Sequence, residues 1–315
     1  MELKWISGTN TPARSVALGT LDGVHLGHQK LLETAVAYRP PVGSSAVFTF
    51  DYPPEQFFRG QFRLISSFEQ KVELIQNCGI DEVAWLPFGL EIASLEAEEF
   101  VQHILLDQLK AVHVVCGFNY RFGKGRAGDV AFLAEQGRRH GFEVTVVPSV
   151  HSSNGELISS TAIRNLLAAG NVEQAADYLG RFPAYRGTVV RGEGRGRQLG
   201  FPTANLEVNP LLVLPGEGVY LTWCVLSHNL GVPAVTSIGR NPTFAGQVQT
   251  VEVYLLDFEA DLYGQVLEVQ FLQRLRDIIR YPSAEALQDQ IRSDVRQARQ
   301  LLDQYRLQDA RVVLK

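Results

Sequence analysis

Four stretches of this chain gather side chains that hold phosphate or move a proton. From Gly187 to Gly200 there are five glycines in fourteen residues, with Arg191, Arg195 and Arg197 among them. Glycine lets a backbone approach a ligand closely and adopt positive φ, and guanidinium groups in such a loop suit it to fold over phosphates. A Pro202-Thr203-Ala204-Asn205 turn follows, whose two neutral side-chain oxygens suit Mg²⁺ or a nucleotide. A mobile, solvated loop would have the same glycine and arginine content, but no use for the ending Phe-Pro-Thr-Ala-Asn. Near the start, His25-Leu-Gly27-His28 puts two imidazoles three residues apart, able to aim at one anion on a helix N-terminus. The alternative is that one histidine caps and the other is surface. No third ligand stands at a spacing that would make zinc attractive.

The third stretch is Ile158-Ser159-Ser160-Thr161-Ala162-Ile163-Arg164. Hydroxyls, free helix N–H groups and a guanidinium one turn along converge there, a second anion site or an ordinary capping motif. The fourth is Glu252, which strand alternation places on one face with Tyr254, Leu256 and Phe258. A carboxylate among apolar neighbours is costly unless paired or functional; an edge-strand glutamate facing water is the competing reading.

Elements must position these groups. In the first half, apolar runs at 15–19, 45–50, 82–86, 112–116 and 143–147 alternate with helical patterns at 29–37, 66–77, 95–109 and 129–140. That alternation predicts a parallel α/β sheet, Rossmann-like, with ligands beyond the carboxyl ends of its strands. Gly123, Gly125 and Gly128 spell Gly-x-Gly-x-x-Gly, but they start seven residues after the preceding strand, where a dinucleotide fingerprint needs them directly after it. A helix over 170–179, stopped by Gly180 and Pro183, sets the domain boundary at 183/184. Beyond it, strand-like runs at 187–190, 218–226, 233–238, 250–258 and 265–271 predict a small antiparallel β-barrel. A terminal amphipathic helix from Ser283 carries Leu287, Ile291, Val295, Ala298 and Leu302 on one face.

The totals narrow the function. The 315 residues allow two domains. A net charge of −5 argues against nucleic acid as a partner, so the local arginines point to a small anionic ligand. No apolar run nears ~18 residues and no secretory leader is recognisable, so a cytoplasmic protein with no membrane partner is expected. Cys78, Cys116 and Cys224 are too scattered for a disulfide framework or a zinc site and read as buried free thiols. Oligomeric state is not legible.

The string Gly187-x-Val189-x-x-Gly192-x-x-x-Gly196-Arg197-x-x-Gly200-Phe-Pro-Thr-Ala-Asn205 resembles the nucleotide-binding segment of riboflavin kinases. Gly19-x-x-Asp22-Gly-Val-His25-x-Gly27-His28, followed by Ser160-Thr161-x-x-Arg164, resembles the nucleotidyltransferase signature of FAD synthetases. The motifs stand in family order over nearly the whole chain, which is thus similar to prokaryotic bifunctional riboflavin kinase/FAD synthetases. The resemblance implies an FMN adenylyltransferase domain over 1–183 and a riboflavin kinase domain over 184–315. The first would make FAD and pyrophosphate from FMN and ATP, the second FMN from riboflavin and ATP, both with Mg²⁺. It implies His28 and Arg164 as catalytic in the first domain, with His25, Gly27, Asn119, Ser160 and Thr161 on the nucleotide. In the second it implies Glu252 as the base for the flavin hydroxyl, and Gly192, Gly196, Arg197, Pro202, Thr203 and Asn205 on the nucleotide. Thr203 and Asn205 would also hold the metal, and Arg276 and Asp277 the flavin. Asn241-Pro-Thr-Phe244 fits as a structural element.

One departure bears on activity. Where such proteins carry Thr-Phe-x-Pro-His-Pro, this chain has Thr49-Phe50-Asp51-Tyr52-Pro53-Pro54. A riboflavin kinase whose N-terminal domain is decayed, or only binds nucleotide or flavin, is therefore the alternative.

Overall fold

The computed structural model describes residues 1–7, 12–60, 62–192, 194–243 and 246–314, which pack as two units, Met1–Ser160 and Thr161–Lys315. Glu193 and Phe244 lie outside the described residues. In the first unit six strands pair in the order β1-β4-β3-β2-β5-β6. They are β1 (Lys4–Ile6), β2 (Arg14–Leu18), β3 (Ser44–Phe50), β4 (Glu82–Leu86), β5 (Ala111–Gly117) and β6 (Glu143–Val147). β2 to β6 are parallel, and β1 runs antiparallel along the edge of β4. Helices α1 (Leu26–Ala37), α2 (Pro54–Arg59), α3 (Phe68–Asn77) and α4 (Val130–His140) lie between strands. Central strands covered on both faces are largely apolar, and β2 is buried at all five positions, its Arg14 paired with Glu82 at 2.7 Å. Val16 and Leu18 join one core with Phe48, Phe100 and Val114, while Ala17 joins the other with Leu32, Val47 and Val115. The direction of strand order reverses between β2 and β5, so their carboxyl ends flank the ligand-binding switch point of such a sheet.

Helices α5 (Ser160–Ala168) and α6 (Val172–Leu179) lead into the barrel. Leu167 and Glu173 are hydrogen-bonded to barrel residues, through Gly216 N–H (2.9 Å) and Arg274 N–H (3.1 Å), and this packing puts the geometric division at Ser160/Thr161. The barrel comprises β7 (Ala184–Val190), β8 (Ala204–Val208), β9 (Gly218–Leu226), β10 (Leu230–Thr243), β11 (Gly246–Leu255) and β12 (Val266–Arg276). It closes in the order β10-β11-β8-β7-β12-β9 with every neighbour antiparallel. Helix α7 (Ala284–Leu302) follows, capped by the Ser283 hydroxyl on Ala286 N–H (3.2 Å). Its stripe meets a core that includes Leu221, Leu272 and Ala298. A terminal hairpin of β13 (Arg306–Gln308) and β14 (Arg311–Val313) completes the unit.

Several local expectations change. The Pro-Thr-Ala-Asn segment is the approach to a strand rather than a free turn, because Ala204–Val208 pairs on both sides, with β7 and with β11. β11 ends at Leu255, so Leu256 and Phe258 leave the face of Glu252. Residues 100–108 wind as a π-helix. Cys116 and Cys224 are buried free thiols, their pKa raised by burial, whereas Cys78 is half-buried.

Candidate functional site

In the first unit the turn after β2 is held under strain. Leu21 (φ 53°), Gly23 (φ 79°) and Val24 (φ 39°) all sit in the left-handed region, where a non-glycine residue costs about 1–3 kcal/mol and persists only if its surroundings over-determine it. Those surroundings are visible. The Asp22 carboxylate accepts from Ile65 N–H (3.1 and 3.2 Å) and Ser66 N–H (3.4 Å), and the Asp22 carbonyl accepts from the Ser160 hydroxyl (2.9 Å). A side chain on Gly23 would strike Ile65 at 2.8 Å.

This turn delivers His25 as the N-cap of α1. Its Nδ1 accepts from His28 N–H (3.4 Å), and the two rings stack at 3.6 Å with 21° between planes. A neutral imidazole that accepts at Nδ1 carries its proton on Nε2. Gly27 makes room for the His25 ring, which a Cβ would meet at 3.1 Å. Ser160 opens α5 and, through Asp22, is joined to the histidine turn. Thr161 is exposed and Arg164 half-buried, one turn further along that helix. Asn119 is exposed in the turn after β5, beside the switch point. The glycines at 123, 125 and 128 shape a folded-back loop, bridged from Phe122 to Gly128 and packed on Ala97. Phe122 is core, stacked with Tyr120 and packed on Phe100. Pro53 precedes the short helix α2.

In the second unit the strand register assembles the site. Glu252 stands directly opposite Asn205 on the neighbouring strand, and the Thr203 hydroxyl donates to Glu252 Oε2 across 3.4 Å. Glu252 and Tyr254 are half-buried, while Val251, Val253 and Leu255 between them fill the core. Glu252 is therefore neither a solvent-edge residue nor an orphan in an apolar face. Phe201 meets the Tyr254 ring edge-on at 5.4 Å.

The glycine loop closes on this group. A Cβ on Gly192 would lie 2.2 Å from Asn205 Nδ2, and one on Gly196 would lie 2.4 Å from the Phe201 carbonyl and 3.1 Å from Thr203 Oγ1. Both glycines thus serve close approach to the chain's own Asn205 and Thr203 region. Arg197 is exposed, Pro202 exposed ahead of β8, and the Arg191 guanidinium lies 5.8 Å over the Tyr263 ring. The Leu199 carbonyl accepts from Gln288 of α7 (3.3 Å). A cavity of about 490 Å³ opens between Phe201 and that helix, lined also by Asp289, Arg292, Val295 and Arg296.

Arg276, expected on the flavin, also has a partner within the chain. Its guanidinium is forked onto Asp294 (2.9, 3.1 and 2.7 Å), a carboxylate only 2% exposed, and it donates to the Asp277 carbonyl (2.9 Å). Burial works against the Arg276 charge, but the Asp294 carboxylate outweighs it and raises the pKa. Arg276 therefore clamps the end of β12 to α7. The Asp277 carboxylate is exposed and pairs with Arg274 (2.9 Å). Sequence reasoning passed over Asp294; the signal was an acid beside Ile291, Val295 and Ala298 on an otherwise apolar stripe.

The oxygen donors at Thr203, Asn205 and Glu252 fit Mg²⁺ of the kind that takes few protein ligands and keeps substrate phosphates. Among the described residues no cluster of three or more His, Cys, Asp or Glu could hold a metal ion, and no helix is long and apolar enough to cross a membrane.

A family model for FAD synthetase matches residues 8–162, and one for riboflavin kinase matches residues 179–302. The bifunctional riboflavin kinase/FMN adenylyltransferase of Pseudomonas fluorescens is 39% identical over 292 residues, covering 90% of this chain and 91% of the relative. The protein of the same name from Escherichia coli K12 is 35% identical over the same shares. Among solved structures, the crystal structure of the macrolide-efflux protein from Streptococcus pneumoniae superposes with a TM-score of 0.83 at 34% identity, over 93% of this chain and 95% of that one.

Proposed function

This chain belongs to the bifunctional riboflavin kinase/FMN adenylyltransferase family, and we propose how its residues divide the two reactions. It phosphorylates riboflavin to FMN and adenylates FMN to FAD. We assign FAD formation to residues 1–183, FMN formation to 184–315, and a cytoplasmic setting to both.

The observation that carries the kinase assignment is the juxtaposition of Glu252 with Thr203 and Asn205. An alcohol is a poor nucleophile until its proton leaves, so a positioned carboxylate is needed. Glu252 takes the proton of the riboflavin hydroxyl as that oxygen bonds to the γ-phosphorus of ATP and the bond to ADP breaks. Thr203 and Asn205 hold Mg²⁺, which supplies charge neutralisation on the phosphates when bound. The loop from Gly192 to Arg197 and Pro202 cover the nucleotide. The cavity between Phe201 and α7 is of a size that holds small ligands and receives the flavin. Arg276 acts through Asp294, fixing the start of the loop that carries Asp277 for the flavin.

FMN needs no base, because its phosphate is already largely ionised at neutral pH. A phosphate oxygen of FMN attacks the α-phosphorus of ATP and pyrophosphate leaves. What that step requires is positive charge and oriented donors, the roles proposed for His28 and Arg164, with His25, Gly27, Asn119, Ser160 and Thr161 on the nucleotide. Pro53 favours one further reading, kinase activity with a weakened adenylyltransferase. Incubation with riboflavin, Mg²⁺ and ATP, followed by separation of the flavins, decides: FAD is expected, and FMN as the sole product would select the kinase-only reading.

A further inference from the structure

Beneath the histidine turn lies a buried cation to which neither reaction above gives a task. Lys71, on α3, is 3% exposed, and its ammonium donates to the Thr20 carbonyl (3.2 Å), Thr49 Oγ1 (3.4 Å) and the Phe50 carbonyl (2.5 Å). These acceptors belong to the carboxyl ends of β2 and β3, the edge at which a sheet of this order binds ligands. Thr49 Oγ1 also donates to the Thr20 carbonyl (3.1 Å), so one oxygen at the root of the turn is gripped twice. The charged groups facing Lys71 are Asp22, in the turn itself, and Asp51, just beyond β3; the Phe68 ring lies 5.1 Å from Nζ.

We infer that Lys71 is a positioning residue for adenylyl transfer, its ammonium tying the ends of β2 and β3 together and so fixing the strained Thr20–His28 turn. The inference rests on assigning adenylyl transfer to that turn. Burial pulls the Lys71 pKa down to about 8, against Asp22 and Asp51, which raise it. Because the folded value lies below the unfolded one, the unfolded chain binds more protons between about pH 8 and 10.5 and stability rises with pH through that window. The charge is thus retained at a cost to folding, as groups held for function are.

The test uses the full chain with supplied FMN and Mg·ATP, comparing wild type, Lys71→Met, Lys71→Arg and His28→Ala, with riboflavin phosphorylation and thermal melting measured on each. Lys71→Met is expected to lower kcat for FAD formation about tenfold or more with kinase turnover maintained, and to lower the melting temperature, since the Phe50 carbonyl loses a buried donor. Wild-type FAD formation is expected to fall as pH rises past about 8, and this limb is lost in Lys71→Arg, whose guanidinium stays charged. Substrate phosphates lose their last proton near about pH 6, so the limb is not theirs. The inference is overturned if folded Lys71→Met forms FAD within about twofold of wild type. Should Lys71→Met not fold, an alkaline limb persisting in Lys71→Arg overturns it. If His28→Ala also leaves FAD formation intact, the failure lies in the assignment of the turn.

Discussion

Replacing Gly192 by alanine tests whether the glycine loop and Asn205 form one working surface. The new methyl group would stand 2.2 Å from Asn205 Nδ2 and 2.5 Å from its Cγ, a contact that must open to about 3.4 Å, a shift of about 1.2 Å. Gly192 does not hold a positive φ, so alanine is tolerated by the backbone and the effect is steric. Either the loop lifts or the Asn205 amide swings away, and both displace groups proposed to hold Mg·ATP. A misplacement of ~1 Å costs on the order of a hundredfold in rate, about 2.7 kcal/mol at the transition state. Initial rates of FMN formation should show kcat/KM for ATP reduced by that factor, with FAD formation from supplied FMN unchanged. Gly239→Ala is the matched control within the barrel, since among the described residues its methyl group meets only Thr250 Oγ1 at 3.6 Å; it should behave as wild type. Wild-type kinase rates for Gly192→Ala, with an unchanged melting temperature, would refute the reasoning.

Arg276→Leu strands the buried Asp294 carboxylate, and loss of about 3–5 kcal/mol in denaturant unfolding is expected; adding Asp294→Leu should recover most of it, and a double variant no better than the single one contradicts the clamp. Burial would push the Glu268 carboxyl up, but Arg311 and Arg186, at 2.8 and 2.7 Å, hold it below the usual range. A depressed folded pKa contributes stability above the ordinary carboxylate value that is lost as pH falls, so Glu268→Gln should destabilise at pH 7, with the gap from wild type closing below about pH 4. Melting curves that differ equally at both pH values would count against it. His28→Ala should abolish FAD formation from FMN and leave riboflavin phosphorylation at the wild-type rate; parallel loss of both would place His28 in folding instead.

Much of this architecture is legible from periodicity. The runs ending at Gly19, Phe50 and Cys116 become parallel strands because their central residues are covered on both faces and are largely apolar. The Gly180 stop and the stripe of α7 are local signals and survive folding. What escapes local reading is pairing. The segment Ala204–Val208 resembles a loop by composition, and only its neighbours β7 and β11 make it a strand and set Asn205 opposite Glu252. The glycines proposed for the two sites are legible as glycines, yet what they pack against is not: Gly192 packs on Asn205 and Gly27 on His25. Arg276 carries the same limit in reverse, since its partner lies eighteen residues away on a helix whose docking the sequence does not specify. Lys71 was invisible because burial, which gives it meaning, depends on α3 crossing two strand ends.

Changing Glu252 to glutamine keeps the side chain's size and its neighbours Thr203 and Asn205 while removing the capacity to accept a proton. Assayed on the full chain with Mg·ATP, first with riboflavin and then with FMN, this variant should lose about 10²–10⁴-fold in FMN formation and make FAD from FMN at the wild-type rate. Undiminished phosphorylation of riboflavin by Glu252→Gln would contradict the account.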